Sequence, residues 1–161
     1  MTPVEKLTAK AEIAELLVSY CLCFDDQNWD EFAGLWADDA VFAVEDHEFR
    51  GKQAVLDFLT TCLPPGYTSK HMLSQPLIRL SDDGMSATAQ TDVVWIAANF
   101  ENAIVGRYND QLSRVEGRWK FRYRSETPVP YRAGPTPMSD TAQSVSGDTM
   151  NITVLNTEQN H

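Results

Sequence analysis

The hydrophobic period of this chain changes once, near Pro64-Pro65-Gly66. Before that point apolar residues recur at helical spacing. In "AEIAELLVSYCLCFDDQ", Ile13, Leu16, Leu17, Tyr20 and Phe24 share a face, which predicts a helix. Leu22 falls on the opposite side, so the helix is expected to be buried on most sides. The polar run Asp25-Asp26-Gln27-Asn28 ends it. "WDEFAGLWADD" predicts a short second helix presenting Trp29, Phe32, Leu35 and Trp36 together, and "AVFAVED" a short strand. "GKQAVLDFLTTCL" predicts a third helix, entered through Gly51 and stopped by the two prolines.

After the turn the period shortens to two. "KHMLSQPLIRL" predicts one strand running to the turn signal Ser81-Asp82-Asp83-Gly84. "MSATAQTDVVWIAANF", "AIVGRYNDQLSRV" and "RWKFRYRSE" predict three more, paired as an antiparallel meander. In the second of these, Ile104, Gly106, Tyr108 and Asp110 form the more apolar face. In the first, Ala89, Thr91, Val93, Trp95 and Ala97 suit a cavity wall. In the last, Trp119, Phe121 and Tyr123 alternate with Arg118, Lys120, Arg122 and Arg124, and a bulge near the end would turn Arg124 inward. Three helices followed by a meander predict an α+β fold, with the helices packed on one face of a curved sheet.

Residues 127–161 change character again, being rich in Pro, Ser, Thr, Gly and Asn. The expected organisation is one domain over residues 1–126 and a polar extension over 127–161. The extension reads as a disordered tail, a lid or an arm to a neighbouring subunit. "MNITVL" within it has strand character. There are no internal repeats.

Composition narrows the functional classes. At 161 residues and 43% hydrophobic, the chain suits a single domain with its own core. A net charge of −10 without a basic cluster disfavours nucleic acid and anionic membranes as partners. The start of the chain lacks the pattern of a signal peptide, and no run reaches the roughly 20 apolar residues of a membrane helix. The cytoplasm is the default expectation. Asn151-Ile152-Thr153 matches the glycosylation tripeptide, a chance match without a secretion signal. Three cysteines, Cys21, Cys23 and Cys62, argue against a disulfide framework and have no spacing for zinc; they read as buried thiols. No glycine-rich phosphate loop is present and His71 has no second histidine nearby, so neither a metal nor an organic cofactor is expected.

Of three histidines, His47 lies in a polar turn and His161 ends the chain. His71 opens a strand and is the acid–base candidate by residue type, its unperturbed pKa of about 6.5 lying near working pH. A lone histidine is also commonly a hydrogen-bonded structural residue. A catalytic one needs a group that fixes its tautomer. Asp25 and Asp26 are candidates, because two carboxylates at a helix C-terminus oppose the helix dipole and suggest another use. Asp38 and Asp39 read as turn residues.

Taken together, Tyr20 and Asp25 five positions later, "NWDEFAGLWADDAVF", "GKQAVLDFL", "KHMLSQPLI" and "GRYNDQLSRVEGRWKFRYR" resemble SnoaL-like domains of the NTF2-like superfamily over residues 5–126. The resemblance implies a cone: a curved, mostly antiparallel sheet around three helices, with a deep pocket. It is similar to the scytalone dehydratase and hexachlorocyclohexane dehydrochlorinase branch, which implies a cofactor-independent lyase using a His–Asp dyad. His71 would take a carbon-bound proton and Asp25, not Asp26, would orient it. Arg124 would help stabilise a departing anion. Tyr20 stands where the dehydrochlorinase pattern has lysine, and its phenol would bond a carbonyl or a leaving hydroxyl. Trp95, Tyr108, Val93, Trp36 and Leu73 would line a pocket for a small hydrophobic hydroxy-carbonyl or phenolic molecule. Isomerases and cyclases sharing the base, and non-catalytic binding or assembly modules, belong to the same superfamily. The resemblance also implies a homo-oligomer, dimer or trimer, with Arg107, Gln111 and Arg122 near the interface.

Overall fold

A computed structural model describes residues 1–97 and 103–129. Nearly all of the extension, with "MNITVL" and the Asn151 tripeptide, lies outside the described residues. Helix α1 (Pro3–Asp25) starts eight residues before the expected Ala11. Thr2 and Glu5 form a capping box: the Glu5 N–H donates to Thr2 Oγ1 at 3.2 Å, and the Thr2 N–H donates to Glu5 Oε2 at 2.6 Å. Pro3 fills the first helical position, where its missing N–H costs nothing. The expectation that α1 is buried on most sides is not met. Ile13, Leu16, Leu17, Tyr20 and Phe24 are buried, whereas Val18 and Leu22 are exposed.

The second helix is shorter than its periodicity suggests. Helix α2 (Trp29–Gly34) is capped by the Asn28 side chain, and strand β1 (Trp36–Val44) begins two residues after it ends. Trp36 follows Phe32 by one helical turn, but the Leu35 carbonyl already accepts the Phe121 N–H at 2.9 Å. Pairing to a later strand therefore overrides the local period. A tight turn through Glu45, at φ 52°, leads into an unexpected strand β2 (His47–Arg50). His47 is exposed there, in a strand rather than in the turn itself. Helix α3 (Lys52–Leu59) ends four residues before Leu63.

The stretch expected as one strand over 70–80 is two, β3 (Ser69–Leu73) and β4 (Leu77–Leu80). Pro76 lacks the N–H a ladder needs. Ser74 fills the break, donating its N–H to the Asp92 carbonyl at 2.9 Å and accepting the Asp92 N–H on Oγ at 3.0 Å. Both pieces pair with β5 (Ser86–Ala97). Strands β6 (Ala103–Val115) and β7 (Arg118–Pro128) complete the antiparallel meander, and β7 runs two residues beyond the expected domain end at 126. The sheet order is β2-β1-β7-β6-β5-β3, and β1 joins β7 in parallel.

The expected inner face holds on β5 and along β6 from Gly106 onward, whereas Ile104 is exposed and Tyr123 does not share a face with Trp119 and Phe121. Gly106, Tyr108, Asp110 and Leu112 are buried on β6, while Arg107 and Gln111 are exposed. Gln111 pairs with Tyr123 but Leu112 pairs with Phe121, so Arg122 is an extra residue in β7. This bulge resets the alternation, and Arg124 turns fully inward. Arg122 points outward and pairs with Asp39. Tyr20, Phe32, Trp36 and Phe121 pack between α1 and the sheet, with ring centroids 5.0–6.1 Å apart. Cys21 and Cys23 are buried as expected, but Cys62 is exposed, lying in the chain beyond α3. Among the described residues no helix is long and apolar enough to cross a membrane.

Candidate active site

The last turn of α1 meets β3, and the two adjacent carboxylates divide between its faces. Side chains two apart on a strand share a face, so Ser69 and His71 meet one carboxylate and Lys70 the other. Asp25 is 4% exposed. Its Oδ1 accepts the Ser69 hydroxyl and His71 Nδ1, each at 2.8 Å, and its Oδ2 accepts the His71 backbone N–H at 2.8 Å. Asp26 faces solvent and pairs with Lys70 at 3.2 Å. Burial pushes the Asp25 carboxyl up, but the His71 ring bond, the histidine charge, the His71 N–H and Ser69 together hold it below the usual range.

That arrangement fixes the imidazole. Since an ionised Asp25 can only accept, Nδ1 carries a proton, and whenever the ring is neutral it is Nε2 that keeps the lone pair. Tyr20 and Phe24 meet the ring edge-on, with centroids 6.3 and 5.4 Å away. The His71 side chain is only 5% exposed, and it lines a cavity of about 230 Å³. The wall comprises Tyr20 and Phe24 of α1, Phe42 and Val44 of β1, and Phe58 and Leu59 of α3 with Cys62 and Leu63 beyond it. Trp95 of β5, Ile104 and Tyr108 of β6 and Glu126 of β7 complete it.

Of the residues expected at the site, Tyr20, His71, Trp95 and Tyr108 line this cavity, and Asp25 lies behind His71. Trp36 and Val93 do not; both are buried in the core. Leu73 is partly buried against the core, also away from the wall. Arg124 is not on the wall either. It is wholly buried, with Nε and Nη2 forked onto the Asp110 carboxylate at 2.7 and 2.9 Å. Its guanidinium carbon lies 4.1 Å from the ring centres of Tyr20 and Tyr108 and 4.3 Å from that of Phe121. Arg124 thus stands behind two cavity-lining tyrosines. Burial opposes its charge, but Asp110 outweighs it, and the arginine stays protonated. Burial also pushes Asp110 up, yet a guanidinium in a two-bond fork does not give up its proton, so the pair is ionised. The Tyr20 and Tyr108 phenols are pushed up chiefly by burial and remain neutral donors.

Glu126 is the cavity residue with chemistry that the sequence reading missed. The signal was available: once Arg124 points inward, alternation puts Glu126 on the same face. Burial pushes its carboxyl up, opposed by the charges of His71 and Arg124. Phe42 and Phe58 were missed for a different reason, since an apolar residue facing a cavity reads like one facing the core. Among the described residues no cluster of His, Cys, Asp or Glu is placed to hold a metal ion.

The Asp25 shift has a consequence for stability. A carboxyl lowered in the folded state stabilises the fold above its unfolded pKa of about 3.9, and the gain disappears as pH falls through the lower folded value. Urea unfolding below about pH 4 is expected to show a steeper loss of stability in the wild type than in Asp25→Asn. Parallel curves would mean that the carboxylate is not held by these bonds.

Comparison with known proteins agrees with this architecture. A protein of unknown function from Mycobacterium tuberculosis superposes with a TM-score of 0.72 at 23% identity, covering 89% of this chain and 85% of its own. A scytalone dehydratase-like protein from Novosphingobium aromaticivorans gives 0.71 at 18%, covering 88% and 100%. A type 2 hexachlorocyclohexane dehydrochlorinase gives 0.68 at 20%, covering 85% and 99%. An NTF2-like protein from Novosphingobium aromaticivorans gives 0.68 at 20%, covering 81% and 88%. At these identities the likeness establishes the fold. No curated protein sequence matches significantly. The family model for the SnoaL-like domain matches residues 5–125, which span all three helices and the sheet almost to the end of β7, and the chain belongs to that family.

Proposed function

We propose that this protein is a cofactor-independent lyase of dehydratase type, acting on a small, largely apolar hydroxy-carbonyl or phenolic compound. Neutral His71 removes a carbon-bound proton through Nε2. Asp25 holds the tautomer before transfer and stabilises the imidazolium afterwards. The Tyr20 and Tyr108 phenols face the same cavity and are suited to bonding a carbonyl oxygen on which charge develops. Arg124 supports them from behind rather than touching the substrate. Isomerisation and cyclisation begin with the same abstraction, and the family's fold neighbours include two proteins whose names denote eliminations.

The observation that carries this reading is a buried carboxylate, 2.8 Å behind an imidazole that borders an apolar cavity. A binding module needs the cavity but has no need of the carboxylate. The test uses a substrate that demands only a base. Opening of nitrobenzisoxazole removes one carbon-bound proton and releases a coloured nitrophenolate. The wild type is expected to catalyse it with saturation, and Asp25→Asn to be slower by at least about tenfold. Equal rates for the two proteins, or no rate above buffer, would end the proton-abstraction reading.

A further inference from the structure

We propose that Glu126 is the general acid of the cavity, protonating the hydroxyl that departs while His71 takes the proton from carbon. This rests on the elimination proposed above and narrows its substrates to β-hydroxy carbonyl compounds rather than organic halides.

The inward-facing charged side chains differ in their partners. Asp110 and Arg124 neutralise one another. Asp25 is committed to Ser69 and His71. Glu126 is half-buried and, among the described residues, its carboxyl has no hydrogen-bond or ion-pair partner. In the sheet it lies between Val44 of β1 and Tyr108 of β6, both of which border the same cavity. His71 enters from β3, at the far side of β5 and β6. Base and acid therefore approach a bound molecule from different strands.

Elimination of water needs both. Hydroxide is a poor leaving group, whereas chloride departs without a proton. In the proposed step the C–H electron pair becomes the second bond of the alkene. The C–O bond breaks with its pair on oxygen, and the Glu126 proton converts that oxygen to water. His71 is left as imidazolium and Glu126 as carboxylate. One proton passed from ring to carboxylate through the released water restores both, and nothing is oxidised or reduced. Burial raises the proton affinity of Glu126, and the charges of His71 on β3 and of Arg124 on its own strand oppose it; Tyr20 on α1, Tyr108 on β6 and Cys62 beyond α3 also face it and feel its charge.

The probes are a β-hydroxy ketone with a phenyl group on the hydroxyl-bearing carbon, and its β-chloro counterpart, both of which give benzylideneacetone. Glu126→Gln is expected to slow the hydroxy ketone by about 100-fold, with a loss on the chloro ketone at least tenfold smaller. Equal losses, or none, would overturn the acid role. His71→Ala should slow both; if it slows neither, the elimination reading itself fails, separately from Glu126. Failure of the wild type to turn over the hydroxy ketone would overturn the substrate class. An infrared difference spectrum between wild type and Glu126→Gln decides the proton independently of turnover. Its carboxylic C=O band should titrate above the ordinary glutamate value of about 4.3, and a band lost at or below that value would remove the acid.

Discussion

Replacing His71 by alanine is expected to slow nitrobenzisoxazole opening by about 10²–10⁴-fold while the protein stays folded. The rate should fall because Nε2 is the proposed base and no other neutral nitrogen base lines the cavity among the described residues. The fold survives because Asp25 keeps two of its three bonds, to Ser69 and to the backbone N–H at position 71. Circular dichroism and the urea midpoint check the second statement. The pair should also behave as a unit: adding Asp25→Asn to His71→Ala is expected to cost almost nothing more, because in the proposed mechanism the carboxylate acts only through the ring. Additive losses would mean that Asp25 has a separate role at the substrate.

The largest expected effect on stability lies one layer deeper. Asp110→Asn leaves the Arg124 guanidinium wholly buried without its counter-charge, a change that costs about 3–5 kcal/mol. That is a large part of the roughly 5–15 kcal/mol that holds a typical domain together. Replacing both partners, Asp110→Leu with Arg124→Met, is expected to recover most of the loss, since apolar residues can fill such a site. The rescued protein should nonetheless turn over more slowly, because Tyr20 and Tyr108 lose the cation their rings rest on. Urea unfolding of the three proteins checks the order. A loss below about 1 kcal/mol in Asp110→Asn would show that water reaches the pair.

Much of this fold was legible because all three helices precede Pro64-Pro65 and five of the seven strands follow it. The meander and its inward face on β6 follow directly from alternation. Errors gathered where a distant partner decides the local structure. Trp36 has helical spacing but enters the sheet because Leu35 is already bonded to Phe121. β2 has a single partly buried apolar residue, Phe49, too little for a period to register. The capping residues Thr2 and Glu5 were legible and overlooked. At the site, the choice of Asp25 over Asp26 came from resemblance. Nothing in the sequence by itself says which of two adjacent carboxylates will face a strand more than forty residues away. Arg124 shows the same limit from the other side: its inward turn follows from a bulge, but its burial behind two tyrosines depends on packing that no pattern encodes.

Strand β3 closes one end of the sheet. An uncovered strand edge presents free N–H and C=O groups, a template on which a second chain can add a strand and begin to aggregate. The His71 N–H points away from β5 and would be such a group. It is taken instead by Asp25 Oδ2, so the carboxylate that aligns the imidazole also blocks the edge beside it. Asp25 is then under two unrelated demands, the proposed catalytic one and that of the edge, and relaxing the first would not free the position. A descendant of this protein without the proposed base would still have reason to keep an acceptor there, to deny that N–H to a second chain.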